Sequence, residues 1–454
     1  MRVALLALLT GGILGVAVVF MAPLATVTVL LALIAGFAIF VRPEVGVLAF
    51  VAVANLLPFG VMPIRVVYSP TLVDFVLTTL LASWVFWTLH RERPLVHSVL
   101  TLPIIVYLGL AIAALVLGLA YSISPERLRL FLKSVNSTLF FFSVINCVTT
   151  RASLRRAVVS LMVGATLASA MAVALIYTPE ATAIQILSAL GPLGYPTGPQ
   201  ALRPIADTAI QRAIGTSIDP NVLGGLLMMG SALLIGQIFS PSPLLDRKLL
   251  WPMLAITVAG LLLTHSRSAL GGTVVAAVLI GVLRDRRLLL LLLAAGVLLP
   301  FIPQADVLVD RLRSGIAFQD RAAAMRLDEY RDALNLIARY PFFGIGFGEP
   351  PSIDLHLGVS SIYLLVAQEM GLVGLSSFLL ILALLAWQIL DGLARARDEG
   401  TRGTLLSLGA AMAAAASAGL LDHYFVNIVF PHMVALFWLY VGLTVVAARL
   451  AKEE

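Results

Sequence analysis

Three arginines and a few proton-transfer side chains carry the chemistry this sequence offers. Arg212 stands upstream of Asp219-Pro220-Asn221, Arg267 lies in Thr264-His265-Ser266-Arg267, and Arg326 heads the run Arg326-Leu327-Asp328-Glu329-Tyr330. A guanidinium is a planar fork that grips phosphate through two parallel hydrogen bonds. Asp219-Pro220-Asn221 reads as the cap and proline start of a helix, whose free N–H groups and positive dipole end suit an anion. His265, His356, Asp422 and His423 are candidate proton acceptors, and Glu369 is a carboxylate inside an apolar run, where such a group is a functional-site candidate by default. Each residue also has a structural reading: a capped helix with a solvated arginine, a snorkelling side chain, a carboxylate paired to an arginine. No Asp-x-Asp, His-x-x-x-His or compact carboxylate cluster is found, and no Walker-type loop, so neither a metal nor a cofactor is expected.

The elements that must position these groups are membrane helices. Of 454 residues, 60% are apolar and only 12% are charged, against roughly 45–50% and about 25% in soluble domains. Apolar runs close to the 20 residues of a membrane span recur with short charged punctuation between them. We expect an all-α polytopic protein of about fourteen spans (twelve to fourteen), near 3–20, 24–41, 45–60, 72–90, 98–120, 132–148, 156–177, 222–239, 249–264, 268–283, 288–303, 361–390, 404–420 and 424–448. The first run is read as a retained helix rather than a signal peptide. The chain divides into an N-terminal set of helices, 1–180, and a region 181–450 that contains the long loop 304–360.

The net charge of +6 is spread among inter-span clusters, with no basic stripe interleaved with aromatics, so no nucleic-acid partner is expected. Arg91 and Arg93, then Arg151, Arg155 and Arg156, Arg247 and Lys248, Arg284, Arg286 and Arg287, Arg395, Arg397 and Arg402, and finally Arg449 and Lys452 all thread to one side. The positive-inside bias makes that side cytoplasmic, together with both termini. The loops 178–221 and 304–360 then lie outside. Within the second, Met325, Tyr330, Leu334 and Ile337 recur at helical spacing over 321–339, which predicts an amphipathic helix along the membrane surface. Pro341 and Gly344-Ile345-Gly346-Phe347-Gly348 end it. Arginines on the outer side with access to lipid point to a lipid-linked diphosphate. Cys147 is the lone cysteine, which excludes an internal disulfide.

Four ordered segments resemble the bacterial O-antigen ligases and the related O-antigen and exopolysaccharide polymerases. They are Arg-x-x-Gly-(x)4-Pro-Asn-x-x-Gly within Arg212–Gly225, Ser-Arg-Ser-Ala at Ser266–Ala269, the arginine-, tyrosine- and glycine-bearing loop, and Tyr-Leu-(x)4-Glu-x-Gly-Leu-x-Gly at Tyr363–Gly374. The likeness covers roughly residues 200–440. It implies a glycosyltransferase of the bacterial inner membrane, with a polyprenyl-diphosphate glycan as donor and a glycan or lipid A core as acceptor on the periplasmic face. Membrane lipids would surround it, and a chain-length regulator protein would be a partner of the polymerase type. By the same resemblance Arg212 and Arg267 would hold the diphosphate, and Arg326 would do so or position the acceptor. His265, Asn221, Tyr330, Ser360 and Tyr363 would support them. Many members begin the last motif with a histidine where this chain has Ser360, and His356 lies four residues earlier. The proton acceptor therefore stays open among His356, Glu369, Asp422 and His423. The rival reading is a lipid-linked glycan transporter or flippase, which would call for half-chain repeats and charges near the midplane; no such repeat is seen.

Overall fold

The computed structural model describes residues 23–62, 70–90, 95–119, 123–205, 210–298, 321–348 and 359–453. Among them are fifteen α-helices and no strand. In chain order these are α1 (Pro23–Val41), α2 (Pro43–Leu56), α3 (Leu72–Leu89), α4 (Thr101–Gly118), α5 (Pro125–Cys147), α6 (Arg151–Tyr177), the short α7 (Glu180–Ser188), α8 (Pro220–Ile238), α9 (Arg247–Leu263) and α10 (Arg267–Leu283). There follow α11 (Arg287–Leu298), α12 (Arg321–Arg339), α13 (Ile362–Arg395), α14 (Glu399–Ala418) and α15 (Pro431–Lys452). Seven of them, α3 to α6, α8, α13 and α15, are long and apolar enough to cross a membrane, and α2, α10 and α11 are shorter apolar helices. Helix is what a lipid-facing backbone requires, since every N–H and C=O must be satisfied within the segment. The chain is a polytopic helical membrane protein.

Each expected span from 24–41 onward falls on a helix; the expected span 3–20 lies outside the described residues. Two helix starts differ most, and for local reasons. The helix expected at 132–148 starts at Pro125, because Ser124 accepts from the Arg127 N–H and proline occupies the first turn, an extension that hydropathy alone discards as polar. The last helix, expected from 424, starts at Pro431. Residues 424–430 form a turn instead, closed by the N–H groups of Val426 and Asn427 on the His423 carbonyl.

The centre of the bundle is formed by α8 and α15, whose membrane-length windows are 94% buried. Small residues let their neighbours close in, as expected where lipid offers no hydrophobic drive between helices. Gly230 meets Ala165 of α6, and Gly236 meets Ser407 of α14. Gln237 of α8 is satisfied on both ends of its amide, donating to Ser407 Oγ at 3.2 Å and accepting from Leu244 N–H at 2.9 Å.

The described basic clusters gather at one end of the bundle. Arg155 donates to the Leu244 carbonyl, Arg156 pairs with Glu44, Arg284 with Glu399 at 2.7 Å, and Lys452 with Asp391 at 2.6 Å. Arg91 and Arg93 lie outside the described residues. At the opposite end sit the residues singled out for chemistry.

That opposite end holds a break in α13. Gly371 has φ 68° and ψ −174°, a conformation open to glycine and strained for other residues. The break frees the carbonyls of Gln368 and Glu369, which accept at 2.9 Å from the N–H groups of Ile345 and Gly346. In return Leu372 N–H donates to the Pro341 carbonyl at 2.7 Å, and Val373 N–H to that of Phe342 at 3.3 Å. The segment after α12 is thus clipped reciprocally into a split helix. It also packs against α4, with Gly346 lying over Ala114 and Gly118, and Phe347 against Phe131 of α5 at 4.7 Å between ring centres. Non-helical backbone is tolerated in a membrane protein where it is packed against protein, and residues 345–348 of this segment are buried.

Candidate functional site

The site is built from the starts of two helices. Asp219 caps α8 by accepting from the N–H groups of Asn221 and Val222 at 2.7 and 3.1 Å, with Pro220 at the first helical position. Arg212 comes back over this start. Its Nη2 donates to Asn221 Oδ1 at 2.7 Å, and its Nε donates to the Thr264 carbonyl at 2.8 Å, in the turn between α9 and α10. A backbone bond from Ala213 N–H to the Leu263 carbonyl at 2.9 Å fixes the same register. Arg212 therefore ties the Asn221 helix start to the turn that carries His265 and Arg267.

Both turns hold left-handed residues. Ile218 has φ 60° and His265 has φ 51°, an outlying geometry for a β-branched side chain and an uncommon one for histidine. Each stands immediately before a helix cap, Asp219 or Ser266. Strain of this kind concentrates where a fold over-determines a site.

Asp422, in the turn after α14, is the second centre. Ser268 Oγ donates to its Oδ2 at 3.1 Å, Arg326 Nη2 of α12 lies 3.9 Å from the same oxygen, and its Oδ1 accepts from the His423 N–H at 3.0 Å. The His423 ring holds Nδ1 3.8 Å from Oδ1. Burial pushes the Asp422 carboxyl above its ordinary value, and the neighbouring Asp219 charge adds to this; His423 and Arg326 offset part of it. Tyr424 is buried beside Ser268, and burial together with Asp422 lifts its hydroxyl well above the usual range. Its ring lies over Gly225, where a Cβ would stand 2.2 Å from a ring carbon, so α8 accepts only glycine there without displacing the tyrosine.

The amphipathic helix expected over 321–339 is α12, with those bounds. It is latched to the bundle. Tyr330 Oη lies 3.0 Å from the carbonyls of both Ser360 and Leu420, and Ser360 donates to Glu329 Oε2 from its N–H at 3.1 Å and its Oγ at 2.7 Å. Ala333 of α12 buries against Val359 and Leu365. Burial raises the Tyr330 hydroxyl, with Arg326 pulling the other way.

The structure thus brings Arg212, Asn221, His265 and Arg267 to one turn. It links that turn through Ser268 to Asp422, His423 and Arg326, and holds Arg326 by the Tyr330–Ser360 latch. Two expected residues sit apart. Tyr363 donates to the Ala416 carbonyl at 2.8 Å on the α14 side, and Glu369 lines a separate cavity with Arg127 and Asn427. His356 lies outside the described residues. Ser268, Glu329 and Tyr424 were not singled out from the sequence. All three lie in or beside motifs that were, but only tertiary contact tells which residue of a motif faces the site.

Residues 252–379 match the family described as O-antigen ligase, a segment that holds Arg267, Arg326, the clipped loop and the first part of α13 with its break at Gly371. No curated protein matches the chain. The match supports a glycosyl-transferring membrane protein of the O-antigen ligase type in general. With fifteen described helices and an O-antigen ligase match confined to residues 252–379, the chain is similar to that family over this segment.

Proposed function

We propose that the arginine-bearing end of the bundle faces outward from the bacterial inner membrane, with both termini cytoplasmic, and transfers a glycan from a polyprenyl-diphosphate carrier to an acceptor hydroxyl. The observation that carries this reading is the convergence of Arg212, Arg267 and the Asp422–Arg326 pair on the Thr264–Ser268 turn, at the starts of α8 and α10. In the transfer, the acceptor oxygen bonds to the anomeric carbon as the bond from that carbon to the diphosphate oxygen breaks. Negative charge grows on the leaving diphosphate. Guanidinium groups and helix N-termini fixed in advance are suited to stabilise it, and they do so without a metal. The acceptor proton passes to a base; Asp422, with His423 beside it, is our choice among the candidates, supported by its 3.9 Å approach to Arg326.

The test is transfer by purified protein from a polyprenyl-diphosphate oligosaccharide, with and without lipid A core. Longer lipid-linked chains from donor alone make it a polymerase, and product only with lipid A core makes it a ligase. Diphosphate-carrier movement across vesicles without any transfer would overturn the proposal in favour of a flippase.

A further inference from the structure

A second polar cavity lies on the far side of the loop that carries Asp422. It has a volume of about 200 Å³ and is lined by Arg127 of α5, Gln368 and Glu369 of α13, and Asn427 and Val429 of the turn before α15. Gln368 is 2% exposed, and its Oε1 has no hydrogen-bond partner among the described residues; Arg127 Nε is buried without a partner on the same terms. Asn427 Oδ1 already accepts from the Val429 N–H at 2.9 Å, which leaves its NH2 group as the donor it offers. Buried polar groups left open cost free energy comparable to a lost hydrogen bond. Two in one small cavity call for an occupant.

The lining says what kind: the Arg127 guanidinium and the Asn427 amide offer donors, while the Glu369 carboxyl and Gln368 Oε1 offer acceptors. A neutral ligand whose groups both donate and accept satisfies the whole set. Hydroxyls of a sugar ring do this: they donate to Glu369 and to Gln368 Oε1, and accept from Arg127 and Asn427. The volume is below the roughly 300–1,000 Å³ of clefts for drug-sized ligands, the scale of one ring. The cavity also adjoins the arginine site. Asn427 N–H donates to the His423 carbonyl at 3.0 Å, so one turn carries Asp422 and His423 at its start and the cavity wall at its end.

We propose that this cavity is a subsite for one neutral sugar ring of the acceptor glycan, which places Glu369 in acceptor binding, apart from the diphosphate contacts. The assignment to the acceptor rests on the transferase reading above; the affinity for a neutral sugar does not.

The experiment is saturation-transfer NMR on the full-length protein in detergent, with the methyl glycosides of glucose, galactose, mannose and N-acetylglucosamine as probes and no donor present. At least one should bind, and Glu369→Gln and Asn427→Ala should each weaken it on the order of tenfold, the loss of a hydrogen bond at a charged or buried group. Because Glu369 is deeply placed, Val429→Phe at the half-exposed rim is the companion variant, blocking the cavity without removing a buried polar group. In transfer assays the same variants should raise the acceptor KM and leave the donor KM unchanged. No glycoside bound by the parent protein, or binding untouched in well-folded Val429→Phe, overturns the subsite. Glycoside binding that follows the variants while transfer is absent upholds the sugar site and sinks the transferase reading instead.

Discussion

Arg326 Nη2 stands 3.9 Å from Asp422 Oδ2, beyond hydrogen-bond length, while Ser268 Oγ takes that same oxygen at 3.1 Å. The pair is close enough for attraction and too long to lock. Arg326 thus retains donors for a phosphate, and Asp422 is held in place by a neutral hydroxyl rather than consumed by a tight ion pair. Replacing Ser268 with alanine should let Arg326 collapse onto Asp422, lowering turnover more than donor affinity. Steady-state kcat and donor KM of Ser268→Ala separate the two, and an unchanged kcat would contradict the arrangement.

Arg212 uses two different nitrogens to bridge Asn221 and Thr264. Lysine has one charged centre and cannot span both. Arg212→Lys should therefore lose transfer by about 10²-fold or more, the scale for removing an electrostatic group aimed at developing charge, and Arg267→Ala should abolish it. Both should insert and express normally. Turnover equal to the parent in a well-expressed Arg267→Ala protein would remove Arg267 from the diphosphate site.

Asp422 gives a pH dependence with a definite sign. Burial raises its folded value, so the neutral form favours the fold. That contribution is fully present below the unfolded value and is lost as pH rises through the raised folded value. Activity runs oppositely if the carboxylate is the base, rising with pH through the same raised value. Asp422→Asn should lose most of the rate together with the acid limb, and its melting temperature should fall less with pH across that window. An acid limb that persists in Asp422→Asn assigns the base elsewhere.

Gly371 is the residue on which the clipped loop depends. Its φ of 68° with ψ of −174° is a region essentially confined to glycine, costing an L side chain about 1–3 kcal/mol, and a Cβ there would stand 2.2 Å from the Phe342 carbonyl oxygen. Gly371→Ala should destabilise the protein and expose the 341–348 segment to protease. A melting temperature and a digestion pattern matching the parent would refute the clip as a stabilising element.

If guanidinium groups neutralise the leaving diphosphate, a chelator should leave the transfer rate unchanged. Loss of activity in EDTA with recovery on added Mg²⁺ would transfer that role from the arginines to a metal.

The sequence alone determined the class and the order of the helices, because lipid imposes long apolar runs and their charged ends on the primary structure. It also determined α12 with its bounds and the Asp219-Pro220 start of α8, since caps, prolines and helical periodicity are local signals. The start of α15 at Pro431 was less legible, because buried Tyr424 and Phe425 read as apolar span when they are packed turn. Only the tertiary structure decided that Ser268 and Asp422, 154 residues apart, share a hydrogen bond, that α13 breaks at Gly371 to admit residues 341–348, and that Glu369 parts company with Asp422. These depend on which face of each helix meets which neighbour. Between helices in lipid that choice is made by close fit of small residues and by pairing of buried polar groups, neither of which leaves a periodic mark on the chain.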